Sequence, residues 1–199
     1  MADLGEALKL KPHDRDALML RGGLYLSTHD SVRARADFDA ALRQAPNNPD
    51  VLMSIAGAYV QAGQFETAVR EYDRAIVALP KSAPLAIALN NRCWARAMWG
   101  KELDGALADC DAALKKGPRT SRILDSRGLV LLRMGQYDAA IETYDEAIRL
   151  QPKSAWSLHG RGVARHHKGL KAEGDADLAA AAVLAPDLAA RAKRLGIGE

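Results

Sequence analysis

The chain has little of what most catalytic and scaffold chemistries require. Cys93 and Cys110 are the only cysteines in 199 residues, so neither a disulfide framework nor a four-thiolate zinc site can be assembled. Aromatic residues make up 5%, which argues against an all-β fold, because strands lean on aromatic and β-branched side chains. An excess of one charge is missing too. The 28 basic and 25 acidic residues leave a net charge of +3, too near neutral for a dedicated nucleic-acid binder. The longest uncharged run, Val51 to Phe65, contains Ser, Gly and Gln and falls short of the ~20 apolar residues of a membrane-spanning helix. Asp3 and Glu6 stand where a secretory leader has its basic and apolar regions, so the chain as written reads as cytoplasmic. No Gly-rich phosphate loop, nucleophile elbow or dinucleotide fingerprint occurs, and neither an enzymatic activity nor a cofactor is expected.

What is present is helix-forming and repetitive. Hydrophobic residues account for 48% and charged residues for 27%, the balance of a soluble globular chain. Alanine fills roughly a fifth of the positions, a bias towards helix. Pro12, Pro46, Pro80, Pro118, Pro152 and Pro186 follow one another at 34, 34, 38, 34 and 34 residues. Each closes a segment of one shape: Glu6-Ala7-Leu8-Lys9-Leu10-Lys11-Pro12 agrees in kind with Glu146-Ala147-Ile148-Arg149-Leu150-Gln151-Pro152 at every position. Two stripes of helical period fill each unit. Leu124, Gly128, Leu131 and Leu132 form one, Ala140, Tyr144, Ala147 and Ile148 the other, and Gly135-Gln136-Tyr137 breaks the run between them. Gly22, Ala56, Gly128 and Gly162 in first helices, with Ala34, Ala68, Ala106 and Ala140 in second helices, let a pair approach to the low end of ~8–10 Å. Phe38, Tyr72 and Tyr144 then fill the gap to the next pair, and the proline, which has no backbone donor, stops the second helix.

This 34-residue helix–turn–helix unit resembles the tetratricopeptide repeat (TPR), and the resemblance covers about residues 2–186. It implies an all-α fold, a right-handed α-solenoid of antiparallel helix pairs with about 12 helices, in one domain over 1–199. Repeats would run 15–48, 49–82, 83–120, 121–154 and 155–188. Residues 2–14 match the second helix of an incomplete repeat whose first helix would precede Met1, and 187–195 a capping helix. That mid-repeat start leaves a removed leader, and hence a periplasmic protein, as the alternative to a cytoplasmic one. The third unit carries four extra residues and has Trp94 where a small residue is expected, which predicts a lengthened first helix with a different packing angle. The fifth has Leu178 in place of the aromatic and Gly174 in place of the small alanine.

The resemblance further implies a peptide groove on a concave wall of first helices. Carried over position by position, its lining includes Met19, Met53, Asn91, Met98, Trp99, Arg122, Asp125, Arg133, Trp156, His159 and His166. Met19, Met53, Met98, Trp99 and Trp156 would anchor a partner, and arginines would orient it. The last three first helices carry Arg92, Arg96, Arg122, Arg127, Arg133, Arg161, Arg165 and Lys168 against one acid, Asp125, so a near-neutral chain could still present a basic groove that gathers an acidic partner. Arg21, Arg127 and Arg161 could equally pair with Asp39, Asp111 or Asp145. The two-carboxylate clamp by which some TPR proteins grip chaperone tails matches in at most one of its five positions. His159 and His166 lie seven residues apart, ~10.5 Å along a helix and too far for one ion, so no metal is expected. Cys93 and Cys110 read first as two small buried thiols, with a disulfide as the alternative in an exported protein. The leading function is a non-enzymatic protein–protein interaction scaffold. Self-association through Leu4, Leu8 and Leu10, giving a homodimer, is the alternative, and nucleic-acid binding ranks below it.

Overall fold

Local chemistry sets where each helix begins and ends. The computed structural model describes residues 2–79 and 83–198, and among these every regular element is a helix: α1 Ala2–Leu10, α2 Arg15–Ser27, α3 Ser31–Gln44, α4 Pro49–Gln61, α5 Phe65–Ala78, α6 Ala83–Trp99, α7 Leu103–Lys116, α8 Ser121–Arg133, α9 Tyr137–Leu150, α10 Ala155–His167, α11 Lys171–Leu184 and α12 Leu188–Arg194. Side chains cap the first helices: Asp14 accepts from Ala17 N, Asn48 from Asp50 N and Val51 N, Thr120 from Ile123 N, and Ser154 from Ser157 N. Each satisfies a donor that the first turn leaves open. Helices α1, α3, α7, α9 and α11 stop two residues before Pro12, Pro46, Pro118, Pro152 and Pro186, as a residue without a backbone donor requires. Pro80, assigned the same role, lies outside the described residues.

The turn inside a pair is a Schellman motif. Gly63, Gly135 and Gly169 have φ of +73°, +72° and +79°, and the next amide returns to the preceding helix, as in Gln136 N to Leu131 O at 2.9 Å. Glycine takes that conformation at no steric cost. The first pair places His29 there instead, at φ +61°.

Contacts divide the chain into two compact units, Met1–Pro84 and Leu85–Glu199. In both, paired helices run antiparallel, as the fold class anticipated. The ladder Arg161–Asp177, Arg165–Asp177 and His166–Asp175 shows this for α10 and α11. Glycines at the crossings admit the rings that fill them. A methyl on Gly22 would sit 2.5 Å from Phe38 Cε1, and one on Gly128 would sit 2.7 Å from Tyr144 Cε1. The third pair exchanges the sizes: Trp94 stands in the glycine position and Cys110 in that of the aromatic. Its first helix α6 is 17 residues long against 13 for α2, α4, α8 and α10.

Candidate functional site

In the first unit, the face formed by α2 and α4 is open and apolar. Leu20 is 63% and Leu24 41% exposed, and with Met19 they line two adjoining grooves of about 500 and 470 Å³. Leu4, Gly23, Leu26, Ala58 and Ala62 complete the apolar wall of one groove. Asp16, Asp50, Asn48 and Ser54 edge the other. A methyl on Gly23 or Gly57 would meet nothing within 4 Å, so backbone is reachable there. Met19 also packs on the core of Leu8, Ala17, Leu18 and Ala41. Met53 is half-buried and borders neither groove. A cavity of about 740 Å³ lies elsewhere in this unit, among α3, α4 and α5. Arg35, Asp39, Arg70, Glu71 and Arg74 line it, and its arginines are paired with neighbouring acids: Arg35 with Asp39, Arg70 with Glu66, and Arg74 with Glu71.

In the second unit the corresponding residues are occupied by the chain itself. After α12, Gly196 takes φ +65°, and the amide of Ile197 returns to Ala192 O at 2.9 Å. This Schellman turn drives Ile197, 4% exposed, in among Trp94, Asp125, Leu129, Tyr144, Trp156, His159 and Gly160, leaving a void of only about 20 Å³. Arg133 Nη2 donates to Leu195 O at 2.6 Å. His159 Nε2, which must carry its proton to face a carbonyl, lies 3.4 Å from Ile197 O. Burial lowers the pKa of both side chains, and for His159 the hydrogen bond to Ile197 opposes that shift. Trp156 packs edge-on to Trp94 at 6.3 Å and lies under the Arg191 guanidinium at 5.6 Å. Asp125 accepts hydrogen bonds from Ser157 and Ser154. Burial nevertheless raises its pKa to about 6.

Several residues expected to line a groove are therefore placed otherwise. Arg133, Trp156, His159 and Asp125 do converge, but on the C-terminal segment. His166 turns away from them towards α11, where it lies against Gly174 and pairs with Asp175 at 2.9 Å. Met98 is buried at 8% exposure. Asn91 is half-buried, and Trp99 is half-buried with Lys101 Nζ 4.9 Å from its ring. Arg122 is exposed. Most of the arginines that suggested a basic groove are held by the chain's own side chains. Arg92 and Arg96 share Asp109, Arg127 holds Asp111 and Thr143, and Arg161 bridges Asp145 and Asp177. Arg21 pairs with Asp37 rather than Asp39, at 2.7 Å through both nitrogens. Asp37 faces the partner helix, whereas Asp39 is exposed.

Residues 25–93 match the family model of the tetratricopeptide repeat, and residues 128–169 a second model of the TPR repeat. Together these span more than half of the chain. The chain belongs to the tetratricopeptide repeat family. Solved TPR structures agree in fold. A protein from Parabacteroides merdae superposes with a TM-score of 0.72 at 20% identity, over 96% of this chain and 79% of that one. The MamA protein gives 0.66 at 23% identity over 87% and 92%. YrrB, described as a TPR protein with an unusual peptide-binding site, gives 0.60 at 19% over 96% and 97%. At such identities the likeness shows the fold alone. No protein of curated function matches the chain in sequence. TPR proteins are in general protein–protein interaction modules, typically without enzymatic activity. Among the described residues, no helix is long and apolar enough to cross a membrane, and no three His, Cys, Asp or Glu side chains cluster as metal ligands would.

One TPR position corrects the sequence reading. Cys93 and Cys110 are joined in a disulfide between α6 and α7, with Cα atoms 5.7 Å apart and both side chains fully buried. They are not two separate thiols. In this pair Trp94 and Cys110 hold the positions of the glycine and the ring, and the covalent link from the neighbouring Cys93 ties the two helices together there. The roles of Leu195 and Ile197 were missed altogether. Their signal was present, since Gly196-Ile197 repeats the Gly169-Leu170 pattern that closes α10.

Proposed function

We propose that the protein is a binding scaffold that holds an apolar peptide or protein segment along the α2–α4 face of its first unit. The observation that carries this reading is the exposure of Leu20 and Leu24 beside Met19 over two adjoining grooves. Contiguous exposed apolar surface of this kind marks interaction sites. A preformed groove also spares the scaffold's share of the ordering cost of binding. Asp16 and Asp50 at one edge favour a partner with a basic or neutral residue there. An acidic partner would have to be met mainly by Arg122 on the exposed surface of the second unit, because Arg92, Arg96, Arg127 and Arg161 already face carboxylates.

The test is selection from a random peptide library on the wild-type protein, followed by affinity measurement on a Leu20→Glu, Leu24→Glu variant. Both side chains are solvent-facing, so the variant should melt within a few degrees of wild type. Selected peptides should carry aliphatic anchors and lose at least tenfold in affinity. Peptides that bind both proteins equally would place the site elsewhere.

A further inference from the structure

The first-helix face of the second unit carries a ligand already, and the ligand belongs to the chain. Leu195-Gly196-Ile197 offers this face two backbone carbonyls and one aliphatic side chain. Arg133 takes the first carbonyl, His159 the second, and the space bounded by Trp94, Leu129, Trp156 and Gly160 takes the side chain. The fit has one defect. Arg133 Nε is buried without a hydrogen-bond partner while Nη2 of the same guanidinium is engaged. A buried donor left unsatisfied is destabilising, so an occupant with a second acceptor beside Arg133 would suit this face better than the segment that fills it. The attachment is also slight. Helix α12 has seven residues, buries only Leu188 and Ala192, and lacks a side-chain N-cap. A short helix with few buried side chains and no capping side chain is the kind that opens first.

We propose that the α8–α10 face is a second peptide-binding site, closed in cis by residues 195–197, and that its partner is a segment with a glycine turn that presents an aliphatic side chain between two free carbonyls, in the manner of Leu195-Gly196-Ile197. The partner competes with the tethered segment and binds when that segment leaves. This site is separate from the α2–α4 grooves and does not depend on them. The arrangement makes affinity a matter of population. When the competent, open form is a minor fraction, the apparent affinity falls by that fraction, and a change that opens the segment restores it.

The experiment uses the full chain and a fluorescein-labelled synthetic peptide of residues 188–198, with binding read by anisotropy. Ile197→Asp removes the tethered competitor by placing a charge in an apolar space. The variant should bind the labelled peptide at least tenfold more tightly than wild type, and adding Arg133→Gln should abolish the gain. A peptide carrying Asp at the position of Ile197 should not bind. Gly196→Ala is the second variant: it strains only the turn at φ +65°, keeps every groove residue, and decides the matter should Ile197→Asp lower the melting temperature of the whole protein. Equal affinity of wild type and the folded opened variants would overturn the proposal, as would a folded, opened variant that fails to bind. Light scattering that shows wild type exchanging this segment between two copies would also overturn it, making the occupant a second copy instead of a separate partner.

Discussion

A single methyl group at Gly128 tests how tightly the second unit is packed. Tyr144 is 3% exposed, and a methyl on Gly128 would lie 2.7 Å from both Cε1 and Cζ of its ring, where carbon atoms rest comfortably at about 3.5–4.0 Å. The ring has little room to retreat, because a methyl on Gly160 of α10 would lie closer to it still. Tyr144 is thus gripped between two glycines on successive first helices. Gly→Ala inside a helix ordinarily stabilises by about 0.5–1 kcal/mol, whereas overpacking a core costs about 1–3 kcal/mol. The balance for Gly128→Ala is a loss of up to about 2.5 kcal/mol. At about 2–4 °C per kcal/mol for a chain of this size, that lowers the melting temperature by up to about 10 °C. Gly23→Ala and Gly57→Ala are the controls. They make the same change in helices of equal length but meet nothing within 4 Å, so each should gain up to about 1 kcal/mol. Urea denaturation followed by circular dichroism and by tryptophan fluorescence gives the free energies, and coincident transitions would license a two-state treatment of the two units. In a Tyr144→Leu background, Gly128→Ala should turn neutral or stabilising. If Gly128→Ala raised stability as Gly23→Ala does, the packing argument for the glycine positions would be refuted.

Two further outcomes follow from groups the repeat pattern did not explain. Asp125 has a folded pKa near 6, raised from 3.8 by burial. The stability from its protonated form is complete below about pH 4 and is lost as pH rises through about 6. Asp125→Asn should flatten the fall in stability between those values and stabilise the protein at pH 7 by about 1–3 kcal/mol, as urea titrations across pH would show. The Cys93–Cys110 disulfide closes a loop of 17 residues in sequence. Reduction should cost about 3 kcal/mol, measured as a drop in the urea midpoint with dithiothreitol, and a Cys93→Ala, Cys110→Ala variant should show no such response. Free thiols found by mass spectrometry in protein kept under oxidising conditions would contradict the bond.

The architecture was readable in the chain because its signals are local. Proline at a 34-residue period, Ser, Thr, Asp or Asn before a helix, and glycine after one act within a turn or two of their own position. Helix ends two residues before Pro12, Pro46, Pro118, Pro152 and Pro186 follow directly. The glycine and aromatic positions were readable as well, since the repeat shows each one several times. The TPR resemblance put Met19 on a first-helix face, and in the first unit it borders a groove.

What escaped the sequence depends on neighbours distant along the chain. Periodicity says which face of α8 or α10 turns away from its partner helix, but not what covers that face. Arg133 meets Leu195 across 62 residues, and His159 meets Ile197 across 38. The arginines on these helices read as a basic surface because net charge carries no information on pairing. The repeat offered Asp111 and Asp145 as partners of Arg127 and Arg161, whereas only the packed structure brings Asp109 within 3 Å of Arg92 and Arg96 on α6, and Asp177 within 3 Å of Arg161 on α10. The cysteines show the same division. Their positions on facing helices were legible, while the bond required knowing that the α6–α7 crossing brings the two Cα atoms to 5.7 Å. Composition and period by themselves determined a fold of repeated helix pairs, and the resemblance to the TPR named it. Tertiary packing decided which first-helix face stays open to a partner and which is filled by Leu195 and Ile197, because occupancy of a surface is settled by long-range contacts that no local pattern encodes.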